Sequence, residues 1–372
     1  VIVSILIFIL VLSILVLVHE LGHFLVARRA GVMVEEFGFG LPPRIVGKKI
    51  GDTIYSLNWL PFGGFVRLHG EQEEEGASDP NSGRAFMNKS KKIRSMVVTA
   101  GVVMNFILGI LAFAIVYSFS GIPRDTGKIK VVDVSAGSPA QVAGIVVGDV
   151  ITKVGPVSVT SADDFIAKTA ALKGKSTIFE VQRMVGGQVT AVKLMLTPRE
   201  NPPPGEGPIG VTITTMELYY PPIWLRPFYG IYYGFKDAIF WGQTIVLGLW
   251  GIITSLVKGQ VPQGVSGPVG IFAVTTEAAK SGILTLVNFV GILSVNLAIL
   301  NIVPFPALDG GRLLFIGIEG IIGRKIVPKV EATINNIGFL ILLALLLLIT
   351  IGDVRHLISA GSINGFINSI GK

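Results

Sequence analysis

Cysteine is absent from this chain of 372 residues. That excludes disulfides, thiolate metal sites and cysteine nucleophiles, so any zinc centre must be built from histidine and carboxylate. Charge is scarce as well. Only 15% of the residues are Asp, Glu, Lys or Arg and 51% are hydrophobic, whereas soluble domains carry about 25% charged residues. The balance is that of a multi-span membrane protein with modest soluble parts. The net charge of +7 is not gathered into a long Lys/Arg block or an aromatic–basic pattern, so nucleic acid is not an expected partner. Basic residues beside apolar runs mark cytoplasmic loops instead. Histidine is rarer still, with four in the whole chain, and two of those stand together.

They fall in His19-Glu20-Leu21-Gly22-His23, at the end of an apolar run from Val1 to Val18 that only Ser4 and Ser13 interrupt. At ~1.5 Å per residue that run reaches across most of a ~30 Å hydrocarbon core. If the helix continues, His19 and His23 lie at i and i+4 on one face, with Glu20 beside them. This is the spacing at which two imidazoles hold zinc while a carboxylate takes a proton from bound water. Surface histidines at the membrane exit are the plainer alternative. Ionisable groups are costly in lipid, so a functional role is the default.

The run is too long for a signal-peptide core and has no basic segment before it, so it reads as a retained first span over residues 1–30. Arg28 and Arg29 follow it, and Lys91, Lys92 and Arg94 precede the next apolar run. The loop of residues 31–93 is therefore placed in the cytoplasm and the N-terminus outside. Short strands and hairpins are expected around Phe37–Phe39 and Thr53–Leu68, where apolar residues alternate. Such a hairpin can dip into the membrane only under cover of protein or a water-filled cavity; an ordinary cytoplasmic ribbon has the same pattern. Glu71–Glu75 reads as a solvated turn. The second span, within residues 94–120, carries Gly101 and Gly109, where another helix could approach, and Asn105, which could bond across that contact in a structural or a functional role.

Residues 121–217 are charged, Gly-punctuated and β-rich, the length of one small domain. Ser138-Pro139-Ala140-Gln141-Val142-Ala143-Gly144-Ile145 with Gly148-Asp149-Val150-Ile151 resembles the helix–turn–strand segment of PDZ domains, which bind extended peptides by strand addition. Residues 218–280 hold an aromatic-rich stretch, 224–257, that hydropathy alone would call a span. A clear span opens the segment 281–322 and runs into Asn301-Ile302-Val303-Pro304-Phe305-Pro306-Ala307-Leu308-Asp309-Gly310-Gly311. Pro304 and Pro306 must break or kink the helix there. Asp309 is a carboxylate in the broken stretch and the best candidate for a third ligand; a helix cap is its alternative. A last span follows over 332–352, with a tail of 353–372 outside. Asp309 reaches the depth of the histidines only if its span also runs from outside to inside. Four spans meet that condition and the basic loops, which puts 224–257 along the outer interface. The expected architecture is a four-span α-helical membrane protein with a membrane-associated β-hairpin region and one extracytoplasmic PDZ-like α+β domain.

With HELGH in a first span, a PDZ-like insert and Asn301…Leu308-Asp309-Gly310-Gly311 in a late one, the chain resembles the bacterial site-2 proteases, the RseP-type intramembrane zinc metalloproteases, over nearly its full length. Tyr55–Leu68 resembles the membrane-reentrant β-loop of that family, and Ser266-Gly267-Pro268 the segment before its third span. It departs from the pattern in having one PDZ-like domain where the best-known enterobacterial relatives have two, and Gly101-Val102 where Gly-Pro is usual. The resemblance implies a multi-pass protein of the bacterial inner membrane with one zinc ion held by His19, His23 and Asp309 and with Glu20 as the base. It implies single-pass membrane substrates such as anti-sigma factors and remnant signal peptides, already shortened outside by a site-1 type protease. It points to Asn301, Leu57, Trp59, Gly63, Gly64 and Phe65 for substrate, and to Gly101, Asn105, Pro304, Pro306, Gly310 and Gly311 for structure. The rival readings are a non-proteolytic adaptor acting through the PDZ-like domain and a zinc transporter or sensor.

Overall fold

The computed structural model describes residues 2–71, 80–259, 266–361 and 365. It divides into two compact units, Ser120–Pro222 and the flanking segments together. In the flanking unit, α1 (Ile2–Arg29) is followed by β1 (Val34–Ile50), β2 (Thr53–Leu68) and α2 (Lys91–Ser120). Helix α1 is apolar along most of its length and ends with Arg28 and Arg29 in its last turn, where positive charge suits the carbonyl end of the helix dipole. Phe24, Val34, Leu68 and Val97 share one buried cluster that joins α1, the strands and α2.

The strands β1 and β2 do not make a simple hairpin. Phe37 pairs with both Val66 and Tyr55, Gly38 with both Phe65 and Ser56, and Phe39 with both Gly64 and Leu57, while Val46, Gly47 and Lys48 take Leu57, Ser56 and Tyr55 from the other side. Residues 54–57 are therefore interior, and the free backbone edges lie at 44–50 and 63–68. Of the residues singled out for substrate, Leu57 thus has strand partners on both sides, and within Thr53–Leu68 only the Gly63–Leu68 portion is left to accept another strand. The cause is the length of β1, which turns at Pro42–Pro43 and doubles back. Of the acidic run Glu71–Glu75, Glu71 is described and ion-pairs with Arg312; the remainder lies outside the described residues.

The other unit contains β3 (Ile122–Val134), α3 (Pro139–Ala143), β4 (Val150–Val154), β5 (Val157–Ser158), α4 (Ala162–Ala171), β6 (Thr177–Val185), β7 (Gln188–Leu196) and β8 (Val211–Tyr219). Its sheet runs β7-β6-β4-β3-β8, with β5 added to β4. Val131, Phe179 and Val181 are fully buried in its core, each worth about 1.5–3 kcal/mol of apolar burial. Helix α3 starts as its sequence dictates: Ser138 accepts a hydrogen bond from Gln141 N, Pro139 holds the first turn, and Gly144 ends it in the left-handed region. Asp149 holds Arg183 with bonds of 2.8 and 2.7 Å and keeps that guanidinium above its usual pKa.

The chain then returns through α5 (Arg226–Val257), α6 (Pro268–Ser281), α7 (Ile283–Ile302), α8 (Asp309–Ile322) and α9 (Pro328–Ala360). Among the described residues five helices are long and apolar enough to cross a membrane: α1, α2, α5, α7 and α9. Leu340 and Leu348 of α9 are 62% and 67% exposed; such a surface is a liability in water and natural in lipid. The extra member is α5, and the structure does not lay it across the ends of its neighbours. Gly230 lies against Ser118 and Ala114, Gly234 against Ile110 and Ala114, and Gly242 against Val295 and Ile299, with Ala238 buried against Phe113 and Val295. The spacing Gly230, Gly234, Ala238, Gly242 is a small-residue stripe that lets helix backbones approach. Beyond it, among the described residues, nothing stands within 4 Å of a Cβ placed at Gly248 or Gly251. Of the stretch Lys258–Gln263, residues 260–263 lie outside the described residues.

Candidate metal centre

Helix α1 presents His19 and His23 one turn apart, their rings 4.8 Å between centroids and edge-on at 82°. Their Nε2 atoms approach to 3.2 Å. Asp309 Oδ2 stands 3.1 Å from His19 Nε2 and 3.3 Å from His23 Nε2. Three donor atoms thus form a nearly equilateral triangle. Among the described residues this is the one group of His, Asp and Glu side chains close enough together to share a metal ion. The fit to zinc can be tested on the geometry. Bonds of ~2.0–2.1 Å in a tetrahedral array set two ligands about 3.3–3.4 Å apart, close to the three sides found. Moreover, Asp309 Oδ2 is buried and accepts no hydrogen bond, which is costly unless a cation meets it. His23 has its other nitrogen, Nδ1, 2.8 Å from Val97 O; donation there leaves Nε2 free to ligate.

The surrounding sequence exists to let these groups meet. Gly22 faces α2: a Cβ there would overlap the Ala100 carbonyl and stand 2.8 Å from Met104 Cγ. Gly101 was expected to admit another helix; it admits the histidine rings, since its Cβ would overlap His23 Nε2 and stand 2.7 Å from His19 Cε1. Helix α7 stops at Ile302, and Asp309 is the first residue of α8 rather than a late residue of its own span. The cap position is Leu308, so capping is not the role of Asp309. Pro304 and Pro306 lie in the intervening turn, where Ala307 adopts φ +75°. Gly310 and Gly311 let α8 start directly upon that turn, because a Cβ on either would collide with the carbonyls of Val303 and Phe305. Two supports went unread in the sequence. Asn335 Oδ1 accepts a 3.1 Å bond from Ala307 N, and Gly338 leaves room for Pro306, whose Cβ would be 2.5 Å from a Cβ placed there. An Asn and a Gly three residues apart, at the entry to the long apolar run of the last helix, were the available signal.

Glu20 lies on the side of Gly64, whose Cβ would be 3.7 Å from Glu20 Cγ, and a Cβ on Gly63 would be 3.2 Å from Val16. The free edge at 63–68 therefore runs along α1 beside the motif. Phe65 shares that edge, whereas Leu57 and Trp59 are 43% and 68% exposed and lie away from it in register. Asn301 stays in the last turn of α7, outside the triangle of donor atoms. Asn105 is brought in: its Nδ2 is 3.2 Å from His19 Nδ1. Beneath α8, Arg94 and Glu319 form a buried ion pair across α2 and α8, bordering a cavity of about 210 Å³ that Arg312, Glu71 and Glu331 also line.

Apolar helices around a histidine–histidine–carboxylate triangle, with a glutamate beside it, have the makings of a membrane metalloprotease. Comparison with known proteins agrees. The model of Peptidase family M50 matches residues 7–345, and the chain belongs to that family, the site-2 type zinc metalloproteases. It is similar to a protein of Clostridium perfringens provisionally named a zinc metalloprotease, 36% identical over 344 residues that cover 92% of this chain and 96% of the relative. A like-named protein of Clostridium acetobutylicum is 36% identical over 354 residues, 95% of this chain and 98% of its own. The zinc metalloprotease RasP of Oceanobacillus iheyensis is 28% identical over an alignment of 437 positions, covering 94% and 98%.

Proposed function

We propose that this zinc metalloprotease cleaves single-pass membrane proteins within their transmembrane segments, after a separate protease has shortened them outside. The observation that carries the reading is the triangle of His19, His23 and Asp309, with sides of 3.1 to 3.3 Å, whose histidines lie on α1, a helix apolar enough to cross a membrane. His19, His23 and Asp309 hold one zinc ion. When bound, zinc lowers the pKa of water and polarises the scissile carbonyl. Glu20 takes the proton of the attacking water and returns it to the leaving amine.

A helical substrate keeps its carbonyls in internal hydrogen bonds and must be unwound before cleavage. The open edge at Gly63, Gly64 and Phe65 supports strand addition beside Glu20, and the absence of Cβ at the two glycines lets that edge lie close to Val16 and Glu20 of α1. Asn301, at the end of α7, bonds the added strand. Anti-sigma factors and remnant signal peptides are the substrate classes of this reading. The Ser120–Pro222 unit acts as a PDZ-like filter outside the membrane. In the proposed topology α1, α2, α7 and α9 cross the inner membrane with the N-terminus outside. The first half of α5 wedges against α2 and α7 from the outer side without completing a crossing. That is supported by its being the least apolar of the five, and by Gly267, shortly after it, bonding Asp353 near the end of α9.

The deciding experiment uses purified protein with a panel of model transmembrane segments. Cleavage is expected to stop with a zinc chelator and return with zinc. Glu20→Gln should keep its zinc and lose about 10²–10⁴-fold in rate; full activity in that variant removes Glu20 as base.

A further inference from the structure

The triangle uses one of the two ring nitrogens of each histidine. For Nε2 to offer a lone pair to a cation, the neutral ring must carry its proton on Nδ1, and a buried N–H needs an acceptor. His23 has Val97 O. His19 is itself buried, at 7% exposure, and the group at its Nδ1 is the Asn105 amide, 3.2 Å away through Nδ2. Asn105 is 0% exposed, and its Oδ1 has no hydrogen-bond partner. The two ends of an amide have the same shape, and a half-turn of χ2 exchanges them. So turned, Oδ1 accepts the Nδ1–H of His19, in place of two donors facing one another.

The geometry points to Asn105 as a positioning residue: its amide oxygen takes the His19 Nδ1 proton, fixing the tautomer and ring plane that aim Nε2 at Asp309. One polar atom of the amide stays unpartnered in either orientation, a cost that an apolar residue of similar volume would avoid. A packing role alone therefore does not account for asparagine at this depth. Its backbone is pinned as well. Asn105 O accepts a 2.7 Å bond from Ser294 Oγ, a fully buried side chain of α7. Since α7 leads through the Pro304–Pro306 turn to Asp309, one residue, through its side-chain amide and its backbone carbonyl, links the helix of the histidines to the segment that delivers the third donor.

This inference rests on His19 being a metal ligand, and the test separates the two. Purified full-length protein, stripped of metal, is titrated with zinc against a competing chromophoric chelator. If the wild type binds no zinc, or if His19→Ala binds it as tightly, the ligand assignment fails and this inference with it. If the assignment stands, Asn105→Ala should weaken zinc about 10–100-fold, while Asn105→Asp, whose carboxylate accepts the same bond, should stay within about threefold of the wild type. Wild-type affinity in Asn105→Ala overturns the proposal. So does equal loss in both variants with an unchanged helical circular dichroism spectrum. Should either variant fail to fold, nitrogen-15 histidine spectra of the zinc-loaded wild type decide: a protonated Nδ1 on His19 supports the inference and an unprotonated one sinks it.

Discussion

A methyl group added at Gly101 would overlap His23 Nε2 and crowd His19 Cε1 at 2.7 Å. Neither ring can yield, because His23 is tied to Val97 O at 2.8 Å and both rings face Asp309. Gly101→Ala is therefore expected to lower zinc affinity by about 10–100-fold, the size of other losses around ligating histidines, with little change in helix content; chelator competition and circular dichroism read the two. The same substitution at Gly109 meets Val295 of α7 instead, and should loosen helix packing with a smaller effect on zinc. At this scale the sequence was informative where chemistry needs rare residues. A chain with four histidines that sets two of them at helical spacing beside a glutamate leaves few other readings, and the proline-broken stretch singled out Asp309. It was silent on which glycine faces what, because a missing Cβ carries no direction until the helices are packed.

Among the elements, the turn between α7 and α8 does most to complete the donor triangle. It is held from outside by Asn335 and shaped inside by Gly310 and Gly311. Asn335→Leu removes the acceptor of Ala307 N and leaves a residue at φ +75° without its support. The expected result is a stability loss of about 1–3 kcal/mol and weaker zinc binding, read by thermal unfolding in detergent and metal titration. Periodicity located the break at the prolines but not its props, which come from α9 and are long-range. The small sheet is a similar case. Alternation marked the strands, yet the doubling back of β1 decides which edge stays open, and that depends on pairings no local pattern encodes. The stripe on α5 was legible in principle. Gly230, Gly234 and Ala238 are spaced for helix contact, but the surrounding tryptophans and tyrosines carry a louder interfacial signal. Because the chain has no cysteine, contact between α5 and α2 can be tested cleanly. Ser118→Cys with Gly230→Cys should form a disulfide under mild oxidation, since a Cβ at position 230 falls 2.5 Å from Ser118 Oγ. Absence of cross-linking would mean that α5 does not pack on α2 in the membrane.

For the molecule as a whole, the buried pair of Arg94 and Glu319 ties α2 to α8, with Lys91 Nζ adding a 2.7 Å bond to Glu319 O. Glu319→Gln leaves a guanidinium buried without its counter-charge and should cost about 3–5 kcal/mol. Arg94→Met combined with Glu319→Met should recover most of that in thermal unfolding, because a packed apolar pair needs no partner. The separation of the donors along the chain has a further consequence, in time rather than in space. The histidines come with α1, and Asp309 follows only after α2, the sheet-bearing unit, α5, α6 and α7. A growing chain therefore holds an incomplete triangle from the making of α1 until α8 begins. Until Asp309 is translated a partly made copy has only the two histidine donors, so one lodged among other nascent membrane proteins cannot yet cut them.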